Sequence, residues 1–188
     1  MARTRFRRIQ PTQEDLKDPK SVQRFLSQMQ DSARDEFENL HAKLDAVKEP
    51  SFSVARTSVQ SMGAGAYTLV VPNSVEWDTD EAWDMTNSRY VVPKKGLWHF
   101  TAYGGLTALA DQRQTFVSLY RNSAAARIGS SAYGSGSSNI GSLLSSYLEC
   151  DKGDKIQLYQ WNGDASSRNS FAGASQNSFQ GLWKQEQA

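Results

Sequence analysis

The chain has 188 residues, with 21 Lys+Arg against 20 Asp+Glu, a formal net charge of +1, one cysteine and two histidines. That length is the scale of one domain with an appendage, and Cys150 with His41 and His99 is too small a set for an intrachain disulfide or a Cys/His zinc site. No apolar run approaches the roughly 20 residues that span a bilayer, and the Arg-rich start is not followed by the apolar core of a secretory signal. The expectation is a chain made in a cytoplasm and not exported by a signal peptide, with no membrane insertion.

Composition changes at residue 50. All 13 glycines, all 5 tryptophans and all 7 tyrosines follow Pro50, while the first 50 residues hold nearly half of the charged side chains. Residues 1–18 carry Arg3, Arg5, Arg7 and Arg8 around Phe6, with no acid among the first eight positions and no sustained period. They read as an extended basic arm. Its arginines suit an acidic groove on another protein or a phosphate backbone, and a solvated tail is the plainer alternative. Few aromatics interleave the arginines, which argues against nucleic acid. Arg3, Arg5, Phe6, Arg7 and Arg8 are therefore expected to anchor a protein partner.

Residues 19–49 predict one α-helix. Asp18 is placed as an N-cap and Pro19 at the first helical position, where its missing N–H costs nothing. Val22, Leu26, Met29, Ala33, Phe37, Leu40, Leu44 and Val47 recur at steps of three and four residues, forming one apolar stripe on an otherwise charged helix. At about 45 Å such a helix outruns what a domain of this size can cover, so the stripe is expected to pack on copies of itself as a stalk. His41 falls on the polar face. Pro50 ends the helix.

From residue 50 to 188 the helical period gives way to short β-rich runs, at Phe52–Val59, Tyr67–Val71, Tyr90–Val92, Leu97–Tyr103, Thr115–Tyr120, Leu143–Leu148, Lys155–Trp161 and Ser178–Trp183. Such runs between Gly, Ser, Asn and Asp predict an antiparallel sandwich. Lys94-Lys95-Gly96 and Asp151-Lys152-Gly153-Asp154 fit turns, Asn162-Gly163 fits a hairpin, and Gly129–Gly141 reads as a long Ser/Gly loop.

Several of these runs follow a familiar order. Phe52-Ser53-Val54-Ala55-Arg56, then Tyr90 to Phe100 with Pro93 and Gly96, then Val117-Ser118-Leu119-Tyr120-Arg121-Asn122, then Leu148 to Leu158 with Gly153-Asp154, then Ser178-Phe179-Gln180-Gly181-Leu182-Trp183 resemble the globular domain of complement C1q and the tumour necrosis factor ligands. The resemblance covers about residues 51–185 and implies a mainly β, ten-stranded jelly roll that assembles as a homotrimer. Ser123 stands where that family has glycine after asparagine, and there is no collagen repeat.

Chemistry-bearing clusters are sparse. Asp78, Asp80, Glu81 and Asp84 are weak calcium candidates, since Ala82 interrupts the ligand spacing of an EF-hand and a solvated loop explains them as well. No other cofactor is expected. No phosphate loop, dinucleotide fingerprint or nucleophile elbow occurs, and an enzyme is not expected. Cys150 is expected to be a small buried side chain, and His99 a strand residue alternating away from Trp98 and Phe100. Trp77, Trp83, Tyr133, Trp161 and Phe171 fall in or beside predicted turns, and of these Trp83, Tyr133 and Trp161 are the candidates to face a ligand, either sugar rings or protein.

A basic arm, an oligomerising helix and a trimeric jelly-roll head together predict a structural virion protein of a bacteriophage. It would be a homotrimeric fibre or spike of the head, neck or tail, anchored to capsid, portal collar or tail by its arm and turned toward a host-surface glycan or protein by its head. The alternatives are a decoration or joining protein that cements neighbouring virion proteins, or a bacterial surface trimer of the same fold.

Overall fold

A computed structural model describes residues 18–45 and 49–185, with side chains for residues 18–39 and 49–185. The arm residues Arg3, Arg5, Phe6, Arg7 and Arg8, the side chains of Leu40, His41 and Leu44, and Val47 lie outside the described residues. The chain divides into two compact units at residues 48 and 49.

In the first unit α1 runs Pro19–Asp45. The Asp18 carboxylate accepts the N–H groups of Lys20 at 3.1 Å and Ser21 at 3.3 Å, which satisfies two of the donors that a helix start leaves open. The bond from Lys20, followed by the Ser21 hydroxyl, holds the carboxyl below its ordinary pKa. Along the predicted stripe Leu26 is 53% exposed, Met29 50% and Phe37 66%. Arg34 pairs loosely with Asp31 and Glu38 on the exposed surface, where such pairs add little.

The second unit is a two-layer antiparallel sandwich. One sheet has the order β11-β7-β14-β1-β4, built from β1 Ser51–Ala55, β4 Ser74–Asp78, β7 Gly96–Leu109, β11 Ser138–Cys150 and β14 Ser178–Gln185. The other has the order β10-β8-β12-β6-β5, from β5 Trp83–Asp84, β6 Arg89–Val91, β8 Gln114–Arg121, β10 Ala132–Tyr133 and β12 Lys155–Asn162; β3 Ala66–Leu69 joins β12 and β9 Ala124–Ile128 joins β8. A small pair, β2 Ser61–Met62 with β13 Arg168–Asn169, closes one end. Strict alternation drives the layers together. Trp98, Phe100 and Ala102 of β7, Val117 and Leu119 of β8, Leu144 and Leu148 of β11, and Ile156 and Leu158 of β12 all point into one core. Phe52 lies 4.0 Å from Tyr90 and 5.0 Å from Phe179 between ring centroids, at the aromatic centre of that core. Gly181 is required there, because a Cβ would stand 2.3 Å from the Phe52 ring.

Most expected strands are present, with altered ends. β1 stops at Ala55 instead of continuing to Val59, since the Arg56 guanidinium folds the chain by donating to the carbonyls of Ser58, Val59 and Val71. β7 continues through Gly104-Gly105 to Leu109, because those two glycines leave room for Val117 and the Phe171 ring. The long loop expected over Gly129–Gly141 is in part strand. It contains β10 and the start of β11, whose serines and glycine pair with β7 at Ser138↔Leu109 and Gly141↔Gly105.

The Asn162-Gly163 hairpin does not form. β12 ends at Asn162, whose buried amide donates to the carbonyls of Met62, Gly63 and Ser166 and so ties three loop segments together. The two-residue hairpin is instead Asn122-Ser123, between the paired Arg121 and Ala124, with both φ angles positive at 52° and 69°. Asparagine tolerates that backbone and serine does so at a cost. Ser123→Gly is expected to raise the unfolding free energy by about 1 kcal/mol, read as a higher urea midpoint at unchanged slope.

Candidate functional site

Chemistry-bearing side chains lie mostly apart. Asp78 accepts the Trp83 N–H at 2.7 Å, Asp80 accepts the Thr79 hydroxyl at 2.7 Å, and Asp84 takes the Arg89 guanidinium at 2.9 Å and the Asn87 amide at 2.7 Å. These carboxylates order their own loop, and among the described residues no group of three or more His, Cys, Asp or Glu side chains could hold a metal ion. Asp84 lies below its ordinary pKa, first because Asn87 bonds its charged form. Cys150 is buried, and desolvation, with Asp154 nearby, pushes its thiol up to about 12, the state of a core residue and not of a nucleophile.

What the sandwich presents to solvent is two unlike faces. On the five-stranded sheet the pleat turns Leu97, His99, Thr101 and Tyr103 of β7 outward, with Leu143, Ser145 and Tyr147 of β11 beside them. Tyr147 stacks 4.7 Å from His99, whose Nε2 lies 2.9 Å from the Ser145 hydroxyl. Leu143 is 55% exposed and Tyr147 53%. At the opposite edge Trp77 of β4 is 48% exposed and borders a groove of about 290 Å³ whose floor includes His99, Thr101, Gln180 and Leu182. An apolar ridge thus stands on the β11 edge of the face, and a groove walled at its far side by Trp77 runs across the strands from β7 to β4.

The outward face of the seven-stranded sheet is aromatic. Tyr67 of β3, Trp161 of β12 and Phe116 of β8 share one cross-strand row, with Tyr67 4.9 Å from Trp161 and 5.9 Å from the buried Phe116, which lies 6.1 Å from Trp161 between centroids. Tyr159, opposite Ser118, lies 4.2 Å from Tyr120. Burial first, and then the Tyr67 and Tyr159 phenols, raise the Tyr120 pKa, so its hydroxyl stays a donor. Tyr133 is 59% exposed at the end of this face and its hydroxyl reaches Gln114 at 3.5 Å.

Of the expected ligand-facing residues, Tyr133 and Trp161 lie on this aromatic face and Trp83 does not. Trp83 is 9% exposed, stacked 5.7 Å from Phe52 and edge-on to Phe179, because the two-residue strand β5 pairs with Tyr90 and turns the indole into the core. Phe171 packs over Gly105. Tyr67, Phe116, Tyr120 and Tyr159 were not among the expected site residues. Their signal is legible as aromatics an even number of residues apart, Phe116 and Tyr120 four apart and Tyr159 and Trp161 two apart, out of phase with the aliphatic core residues Val117, Leu119, Ile156 and Leu158.

No protein-family model and no curated protein matches the chain in sequence. Solved structures do match in fold. The globular domain of zebrafish complement 1qA superposes with a TM-score of 0.58 at 16% identity, over 74% of this chain and 100% of that one. Eiger TNF from S. frugiperda gives 0.58 at 12% identity over 74% and 95%, and murine APRIL 0.54 at 9% identity over 73% and 100%. The second unit is therefore a jelly-roll sandwich of the C1q/TNF type. Among the described residues no helix is long and apolar enough to cross a membrane.

Proposed function

We propose that the chain is a non-enzymatic, homotrimeric virion appendage, a fibre or spike of a phage head, neck or tail, with the arm and helix as its anchor and stalk and the sandwich as its attachment head. The observation that carries the trimer is the pairing of unlike edges on one face. Tyr147 and Leu143 stand at one edge and Trp77, the far wall of the groove, at the other, the unlike surfaces that a closed ring of head-to-tail contacts brings together. The half-exposed Leu26 and Met29 of the helix are apolar surface of the kind such an assembly covers.

The virion setting is supported by the polarity of the chain, cationic at its start and aromatic in its head. Removing residues 1–18 is expected to give an assembled protein that no longer joins particles. This is read by comparing incorporation of full and truncated chains into virions; normal incorporation of the truncated chain would remove the anchor.

A further inference from the structure

We propose that the outward aromatic face of the seven-stranded sheet is a binding platform for a neutral polysaccharide, seated across Tyr67, Trp161, Tyr159 and Tyr120. The inference takes the sandwich as a ligand-bearing head and depends on neither the particle nor the number of copies.

Three observations converge. The rings form a contiguous aromatic cluster, with Tyr67 41% exposed and standing edge-on to Phe116 and Tyr120, and with Tyr120, Tyr159 and Trp161 half-buried around it, so each of these four is held by its neighbours while part of it meets solvent. Rigid aromatic planes with hydroxyl tips suit the apolar C–H faces and polar edges of pyranose rings.

The charge of the face selects among ligands. The cross-strand rows read Tyr67, Trp161, Phe116; then Leu69, Tyr159, Ser118, Ile128; then Gln157, Tyr120, Ala125, with amides and hydroxyls but no acid or base. A nucleic acid or sulfated glycan would leave its anions unmatched there.

The third observation is Ser118. It is fully buried in the middle row, its neighbours Val117 and Leu119 point into the core, and its hydroxyl has no hydrogen-bond partner among the described residues. Its oxygen is covered, so a sugar hydroxyl meets it where the side chains above it shift to admit the ligand.

The test is titration calorimetry of the full chain with cellohexaose, chitohexaose, maltohexaose and laminarihexaose, with a heparin hexasaccharide as the acidic comparator. At least one neutral oligosaccharide is expected to bind. Tyr67→Ala, at an exposed position, should weaken it at least tenfold, whereas Tyr67→Phe, which keeps the ring, should stay within about threefold, and Lys184→Ala should leave it unchanged. Melting temperatures of the variants near that of the parent keep the comparison to binding. Silence from all four, preference for the heparin fragment, or indifference to Tyr67→Ala overturns the proposal. None of these touches the anchor reading, which particle incorporation of the truncated chain reports by itself.

Discussion

In light scattering the full chain is expected to run at three times its 20.9 kDa, and Tyr147→Arg or Trp77→Arg to run at one. Both side chains are about half exposed, so replacing either leaves the core of the folded chain intact. In a ring closed by unlike edges each protomer offers its Tyr147 ridge to one neighbour and its Trp77 groove to the other. One substitution therefore strikes every contact in the ring. An aromatic at the centre of an interface typically carries about 2–4 kcal/mol when removed, and a buried guanidinium without a partner adds to the loss. Three such contacts make the change far more than tenfold in dissociation. The double variant should be no worse than either single one, because the two residues serve the same contact from opposite sides. A parent protein that runs as a single chain would remove the trimer, and variants that still run as three would place the interface elsewhere.

How far the chain could be read without coordinates depended on period. β7 and β12 alternate over eight residues or more, and β8 and β14 are eight-residue runs rich in aromatics, so their existence and inward residues such as Trp98 and Phe179 were legible. β2, β5, β10 and β13 have two residues each, too few for any period, and their placement comes from partners distant in sequence. Trp83 was misplaced for that reason. A tryptophan between acidic turns reads as exposed until Tyr90, seven positions later, folds back beside it. Glycine misled in the opposite sense. Gly104-Gly105 and Gly141 looked like breaks but lie paired inside long strands, where they admit Phe171 and Tyr103.

Turn chemistry separated by partner as well. Asn122-Ser123 became the hairpin because Asn122 also bonds Lys155 N–H and the Asp154 carboxylate, fixing it against the neighbouring turn. Asn162-Gly163 has the stronger local signal, yet its asparagine is consumed by three carbonyls. The aromatic platform sat between these extremes. Its residues were each visible, and their common face follows from alternation, but the register Tyr67↔Trp161↔Phe116 is a long-range pairing that no local pattern contains.

A large stability loss from one polar side chain is expected at Asp164, in the loop that Asn162 pins. Its carboxylate is 4% exposed and accepts the N–H of Ala110 at 3.0 Å, the N–H of Ser166 at 3.1 Å and the guanidinium of Arg168 at 2.8 Å. Asp164→Ala strands a largely covered arginine and two backbone donors, which should cost about 3–5 kcal/mol; Asp164→Asn keeps the shape and loses the charge, and should cost about 1.5–3 kcal/mol. Desolvation alone would raise this carboxyl, but the bonds from Ala110, Ser166 and Arg168 outweigh it and hold the pKa below the usual 3.8. A group lowered in the folded state binds its proton more readily when unfolded. Its contribution is therefore complete above the unfolded value near 3.8 and is lost as pH falls through the folded value. Urea melts should show parent and Asp164→Asn far apart at neutral pH and converging as the buffer is acidified below pH 3.8. A gap that stays constant with pH would mean that the charge of Asp164 is not what holds the loop, and the hydrogen bonds to its shape alone would then account for the loss.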